Sequence, residues 1–242
     1  MHKLSIKRFI QEPSCCAIAA CASVGNYYNK NVNYKNIKAL AENMLDDEVT
    51  NGLYTGEIAN LLNLIGFKSV RVISTNMKFL DYSFVNLTKK SVIEKLNYIS
   101  RLRGKKIWKE NIKSYISFLS NTNYNNELII DYRFGKYIRE HIRKNMPVIL
   151  SFDWTIFFRF SKQRKGKADP FKGDTKEHAV VVYGFDKKYA YILDSHSKFY
   201  KYKLKKYKNG FYEIKWEELM TVIGQGDIIV PCKYSKKRMY KL

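Results

Sequence analysis

QEPSCCAIAA, residues 11–20, is the stretch on which the reading of this chain depends. Pro13 and Ser14 mark a turn ahead of a small-residue apolar run, and Ser14 reads as the N-cap of a helix reaching Tyr28. Ile18, Ala19, Ala22 and Val24 fill one side of that helix, and Gly25-Asn26 loosen its end. Two adjacent thiols therefore stand at a helix N-terminus, Cys16 in the first turn and Cys15 at or before it. The unpaired backbone N–H groups and the positive dipole end there favour thiolate over thiol. Either cysteine is a candidate nucleophile; the competing reading is a pair of small residues at the head of a core helix.

A nucleophilic thiolate needs a histidine to pair with it and to protonate the leaving group. That histidine needs an orienting acceptor, and the tetrahedral intermediate needs donors for its oxyanion. The sequence offers four histidines. His2 sits in a terminus expected to be mobile, and His141 lies in REHIRK, expected to be a solvated basic helix face. His178 opens the strand HAVVVYGF directly after a lysine-rich loop. The partner strand YAYILDS follows a tight turn at Asp186-Lys187-Lys188, so Asp194 returns to the His178 end of the hairpin. His196, two residues on, competes for the same role, and a strand-edge histidine bonded to backbone is the plain alternative for His178.

Helical patterns also cover 33–41 and 55–65, the latter with Thr55 as cap, Glu57 in its first turn and Gly66 as its stop, followed by a strand over 67–73. From 75 to 126 the character changes to two basic amphipathic helices, 88–102 and 107–119. A helix at 134–144 precedes the short strand VILSF. SKQRKGKADPFKGDTKE reads as a loop. KFYKYKL, GFYEIKW and GDIIVPCKY read as strands, with a short helix at 216–221. Helices come first and strands later, which points to an α+β fold, N-terminal helices packed on a C-terminal antiparallel sheet.

Gln11, CAIAACASVGNYYNKNV, NGLYTGEIANLLNLIGFKSVRV, MPVILSF, HAVVVYGFD and YAYILDS together resemble a papain-like cysteine peptidase. The resemblance is to the bacteriocin-processing, double-glycine-leader peptidases and their stand-alone relatives. It runs over 11–73 and 145–195, and its motifs stand in the family's order. It implies a single papain-like domain over 1–242, with 75–126 as a helical insertion. Carried over residue by residue, it implies Cys16 as the nucleophile, because Cys16-Ala17-Ile18-Ala19 matches a Cys-Gly-x-Ala pattern. Gln11 becomes an oxyanion donor beside the Cys16 backbone N–H, His178 the general acid/base and Asp194 its orienter. Cys15 is then a bystander, Cys21 a core residue, and Cys232 has no assigned partner. Two departures stand out: Ala17 replaces the glycine after the cysteine, and Ser195 replaces the proline after the aspartate.

The implied function is cleavage of a peptide or isopeptide bond in a peptide or protein substrate. The same machinery also suits acyl transfer to an amine. A catalytically degenerate basic module binding nucleic acid is the contrasting alternative, set aside because Gln11, Cys16, His178 and Asp194 are all present. The chain carries 44 Lys+Arg against 22 Asp+Glu, a net charge of +22. That excess suits an acidic or anionic partner on a basic surface, or reflects a composition rich in Lys, Asn, Ile and Tyr. The four cysteines form neither a disulfide framework nor a zinc pattern, so no cofactor or metal is expected. No segment reaches bilayer length and MHKLSIKRFI lacks a signal-peptide core, so the expected location is cytoplasmic.

Overall fold

The computed structural model describes residues 1–47, 49, 52–74, 78–164, 167–196, 209–223 and 226–234. Helix α1 (Cys16–Tyr28) is buried continuously from Ala17 to Asn26. Its small side chains let neighbouring elements approach closely. A Cβ on Gly25 would lie 2.9 Å from Val32 and 3.0 Å from Ile65. Gly25 is thus a packing residue inside the helix, and not the loosened end expected from sequence. Ser14 does not cap the helix either. It takes a positive φ of 63° in the turn closed by the Cys15 N–H to the Glu12 carbonyl at 3.1 Å, and Cys15 occupies the cap position without a side-chain capping bond. Pro13 fixes the backbone ahead of that reversal.

Helix α2 (Tyr34–Leu45) is capped by Asn33, whose side chain accepts from the Asn36 N–H at 3.0 Å. It extends past the expected 33–41. Helix α3 (Thr55–Ile65) has Tyr54 in the cap position, and the Glu57 carboxylate accepts from the Tyr54 N–H at 2.8 Å. Thr55 is therefore not the cap; its hydroxyl donates to Asp227 at 2.5 Å. Helices α4 (Lys89–Leu102, capped by Thr88) and α5 (Lys106–Ser120) follow closely the two basic patterns in the sequence. Helices α6 (Phe134–Arg143), α7 (Trp154–Phe157) and α8 (Trp216–Ile223) complete the helical set.

The main sheet runs in the order β3 (Glu127–Ile130), β2 (Phe67–Ser74), β10 (Asp227–Tyr234), β4 (Val148–Asp153), β7 (Glu177–Phe185), β8 (Tyr189–Leu193) and β9 (Phe211–Lys215), with β1 (His2–Lys3) pairing on β7. Its pairs are antiparallel except β2 with β3, which is parallel. His2 is therefore strand-paired, stacked on Phe185 at 6.2 Å between centroids, rather than in a loose terminus. SKQRKGKADPFKGDTKE also holds structure: β5 (Gln163–Arg164) and β6 (Lys167–Ala168) pair with each other. The expected strand KFYKYKL lies outside the described residues.

Both faces of the sheet are covered. Ala179, Val181 and Leu193 join a core with α1, α3 and α5, through residues such as Ile18, Leu61 and Phe118. Val180, Val182 and Ile192 face the other way and meet Ile138 of α6 and Leu219 of α8. This explains why β7 is a continuous apolar run with little alternation: each side chain finds a covered face. Helices thus lie on the second face as well as the first, because α6 and α8 carry apolar stripes that need burial.

Candidate active site

Strand β7 sits between β4 and β8 and brings three elements to one point. In β4, Phe152 pairs with His178; in β8, Leu193 pairs with Val181. Asp194 therefore leaves β8 one step nearer the His178 end, as a diagonal neighbour of that histidine. Above this end of the sheet lies the N-terminus of α1, whose first residue is Cys16.

Cys16 is partly exposed, and its Sγ accepts from the Ala179 N–H at 3.5 Å. It also shares a side-chain hydrogen bond with His178. His178 is 6% exposed, and its Nε2 lies 2.9 Å from Asp194 Oδ1. That leaves Nδ1 as the nitrogen able to serve the thiol. Asp194 is fully buried. Its Oδ1 also accepts from the His196 N–H at 2.9 Å, and its Oδ2 accepts from the Tyr212 hydroxyl at 2.9 Å.

The electrostatics follow from these contacts. Burial would push the Cys16 thiol up, but the His178 hydrogen bond and charge, with the Ala179 N–H, bring it below its ordinary value. Burial would likewise push His178 down, yet the Asp194 carboxylate and the Cys16 sulfur raise it to about 10. Asp194 is held low against its own burial by His178 and its hydrogen-bond donors. The three shifts agree in direction: a thiolate, an imidazolium and a carboxylate stabilise one another. Trp154 and Phe152 pack at 5.9 and 6.0 Å from the His178 ring and shield its bond to Asp194 from water.

The other candidates separate clearly. Gln11 meets Ser195 twice: its Oε1 accepts from the Ser195 hydroxyl at 2.7 Å, and its backbone N–H donates to the Ser195 carbonyl at 3.1 Å. Cys15 is buried, with its thiol pushed up by that burial. Cys21 is wholly buried and also pushed up. His196 contributes its backbone N–H to Asp194, and its ring lies against Trp154 at 5.8 Å. His141 is not solvated as expected. It is 5% exposed, with Nδ1 2.7 Å from the Tyr137 carbonyl one turn back, and burial lowers its pKa. Among the described residues no cluster of three or more His, Cys, Asp or Glu side chains could hold a metal, and no helix is long and apolar enough to cross a membrane.

A family model described as Peptidase_C39 like family matches residues 3–223. The chain belongs to that family. It is a papain-like cysteine peptidase, a hydrolase. Two solved structures are similar to this peptidase. One is a double glycine motif protease from an AMS/PCAT transporter in complex with the leader peptide, 14% identical, covering 95% of this chain and 94% of that one at a TM-score of 0.43. The other is described as a C39-like peptidase from Bacillus anthracis, 12% identical, covering 97% and 98% at a TM-score of 0.48. No curated protein matches.

Four residues around this candidate site were given no role from the sequence. Tyr212 lies on β9 and reaches Asp194 at the end of the neighbouring β8. Trp154 follows β4 at the first position of α7. Arg8 donates from Nε to the Asp194 carbonyl and from Nη2 to the His196 carbonyl, both at 2.6 Å. Ser195 was noted only as a departure from proline. Tyr212 left a signal too, as an aromatic inside the strand pattern GFYEIKW.

Proposed function

We propose that the peptidase hydrolyses a peptide or isopeptide bond with Cys16 as nucleophile, His178 as general acid/base, Asp194 as its orienter and Gln11 as an oxyanion donor. The observation that carries this reading is the continuous chain from the Cys16 thiol through His178 to the 2.9 Å bond with Asp194, with the matched pKa directions. The Cys16 sulfur attacks the scissile carbonyl carbon, forming the C–S bond while the carbonyl pair moves to oxygen. The Cys16 N–H, one of the open donors of the first helical turn, and the Gln11 amide meet that oxyanion. When the carbonyl reforms, the C–N bond breaks and the His178 imidazolium passes its proton to the leaving amine. The now neutral imidazole takes a proton from water, whose oxygen attacks the thioester and releases the acid with Cys16 restored.

The substrate in this reading is a peptide or protein, as family membership favours. In this reading the whole chain forms one papain-like unit. Support comes from α5, lying in the 75–126 segment, whose Ile112, Tyr115 and Phe118 belong to the same core as α1. The test is turnover of a peptide library by the wild-type chain and by Cys16→Ala. Product formation that vanishes in the variant is the expected result; equal product formation by the variant would sink the assignment.

A further inference from the structure

The geometry points to Ser195 as a positioning residue that sets which end of the Gln11 amide faces the reacting carbonyl. This inference rests on the roles proposed above for Gln11 and Cys16. An uncharged side-chain amide has an acceptor end and a donor end, and only the donor end stabilises an oxyanion. Ser195 is 2% exposed and its hydroxyl donates to Gln11 Oε1 at 2.7 Å. With Oε1 engaged by that hydroxyl, Nε2 is the end left to face an oxyanion.

The serine is itself held in place. Its carbonyl accepts from the Gln11 N–H at 3.1 Å. Arg8 grips the carbonyls on either side of it, those of Asp194 and His196, at 2.6 Å each. Asp194 is tied in turn by its N–H to the Gly210 carbonyl at 2.8 Å. The segment 194–196 thus carries two tasks through adjacent residues: the Asp194 carboxylate orients His178, and the Ser195 hydroxyl orients Gln11. A buried hydroxyl with a single defined partner supplies orientation at little conformational cost, since its neighbours already fix its backbone. A proline at this position, as in the resembling family pattern, has no hydroxyl to give, so this device belongs to the serine of this chain.

The test separates reactions that pass through an oxyanion from one that does not. p-Nitrophenyl acetate acylates a thiolate through a tetrahedral oxyanion, whereas iodoacetamide alkylates it by direct displacement at carbon. Both rates are measured at Cys16 by nitrophenolate release and by peptide mapping. In Ser195→Ala, acylation is expected to fall by about tenfold, a part of the 10²–10³ that a lost oxyanion donor costs, while alkylation and its pH profile stay at the wild-type level. Ser195→Thr, which keeps the hydroxyl, restores acylation. In a Gln11→Ala background, removing the Ser195 hydroxyl produces no further loss. Equal falls in acylation and alkylation would overturn the inference, because Ser195 would then act through the thiolate–imidazolium pair. So would unchanged acylation, or additive losses in the double variant. If Cys16 in the wild-type chain proves inert to iodoacetamide, the nucleophile assignment itself fails, an outcome distinct from any Ser195 effect.

Discussion

Tyr212 and Asp194 are joined by a hydrogen bond of 2.9 Å that runs from β9 to the residue just after β8 and engages the carboxylate oxygen not bonded to His178. Asp194 thereby has partners on both oxygens despite being fully buried. A buried carboxylate can stay ionised only with such company. Through Asp194, Tyr212 is thus part of what supports the charged form of His178.

Tyr212→Phe keeps the ring and removes that donor. Leaving a buried charged oxygen short of a partner is expected to cost about 1–3 kcal/mol of stability, read from urea unfolding. Turnover falls as well, since a less firmly ionised Asp194 supports the imidazolium less.

The pH dependence of turnover follows from the two opposed shifts. On the acid side activity rises as Cys16 ionises, below the ordinary thiol value of 9.0. On the alkaline side it falls as His178 loses its proton near 10, for want of a proton for the leaving amine. Asp194→Asn removes the largest support for the imidazolium, so the alkaline limb moves to lower pH. His178→Ala removes the proposed acid/base, and turnover is expected to fall on the order of 10²–10⁴-fold.

Stability carries the same signature. His178 is raised in the fold, so its contribution is fully present below the ordinary value of 6.5 and is lost as pH rises toward about 10. Cys16, lowered in the fold, gains stability as pH rises toward its ordinary value of 9.0 and offsets this loss over that stretch, so urea midpoints of the wild-type chain should hold level between 6.5 and 9.0 and decline from there toward about 10. Asp194→Asn should have a lower midpoint at neutral pH and a decline that is complete earlier.

Asp227 offers the opposite case. It is buried where Thr55 donates to it at 2.5 Å and Tyr115 at 2.7 Å, yet burial outweighs these bonds and raises its pKa. A raised carboxyl costs stability as pH climbs above its unfolded value. Asp227→Asn keeps an acceptor for both hydroxyls and removes the charge. The expected outcome is a urea midpoint at pH 7 above wild type; a fall would mean that the carboxylate is needed as a charge.

The hairpin that unites His178 with Asp194 was legible because its turn residues, 186–188, are local and its strands lie next to each other in sequence. Helix polarity raised both thiols, and only the resemblance put Cys16 ahead of Cys15; in the fold Cys15 is buried and Cys16 partly exposed. What was not legible depends on distant pairing. Strand β10 inserts between β2 and β4 near the end of the described chain, and no local pattern announces a partner so far away. His141 looked solvated because REHIRK is rich in charge, but α6 turns that ring toward the core side, where the Tyr137 carbonyl satisfies it. Arg8 gave no signal at all, since its role exists only once the 194–196 segment lies beside the lead-in to α1.

The proposed chemistry depends most directly on a Cys16 thiolate held by His178. The measurement is iodoacetamide labelling near pH 6, roughly two units or more below an ordinary thiol, followed by peptide mapping of the wild-type chain and of His178→Ala. The prediction is rapid labelling of Cys16 over Cys15 and Cys21 in the wild type, and its loss in the variant. Slow, equal labelling of all three thiols, or labelling of Cys16 that is indifferent to His178, would contradict it.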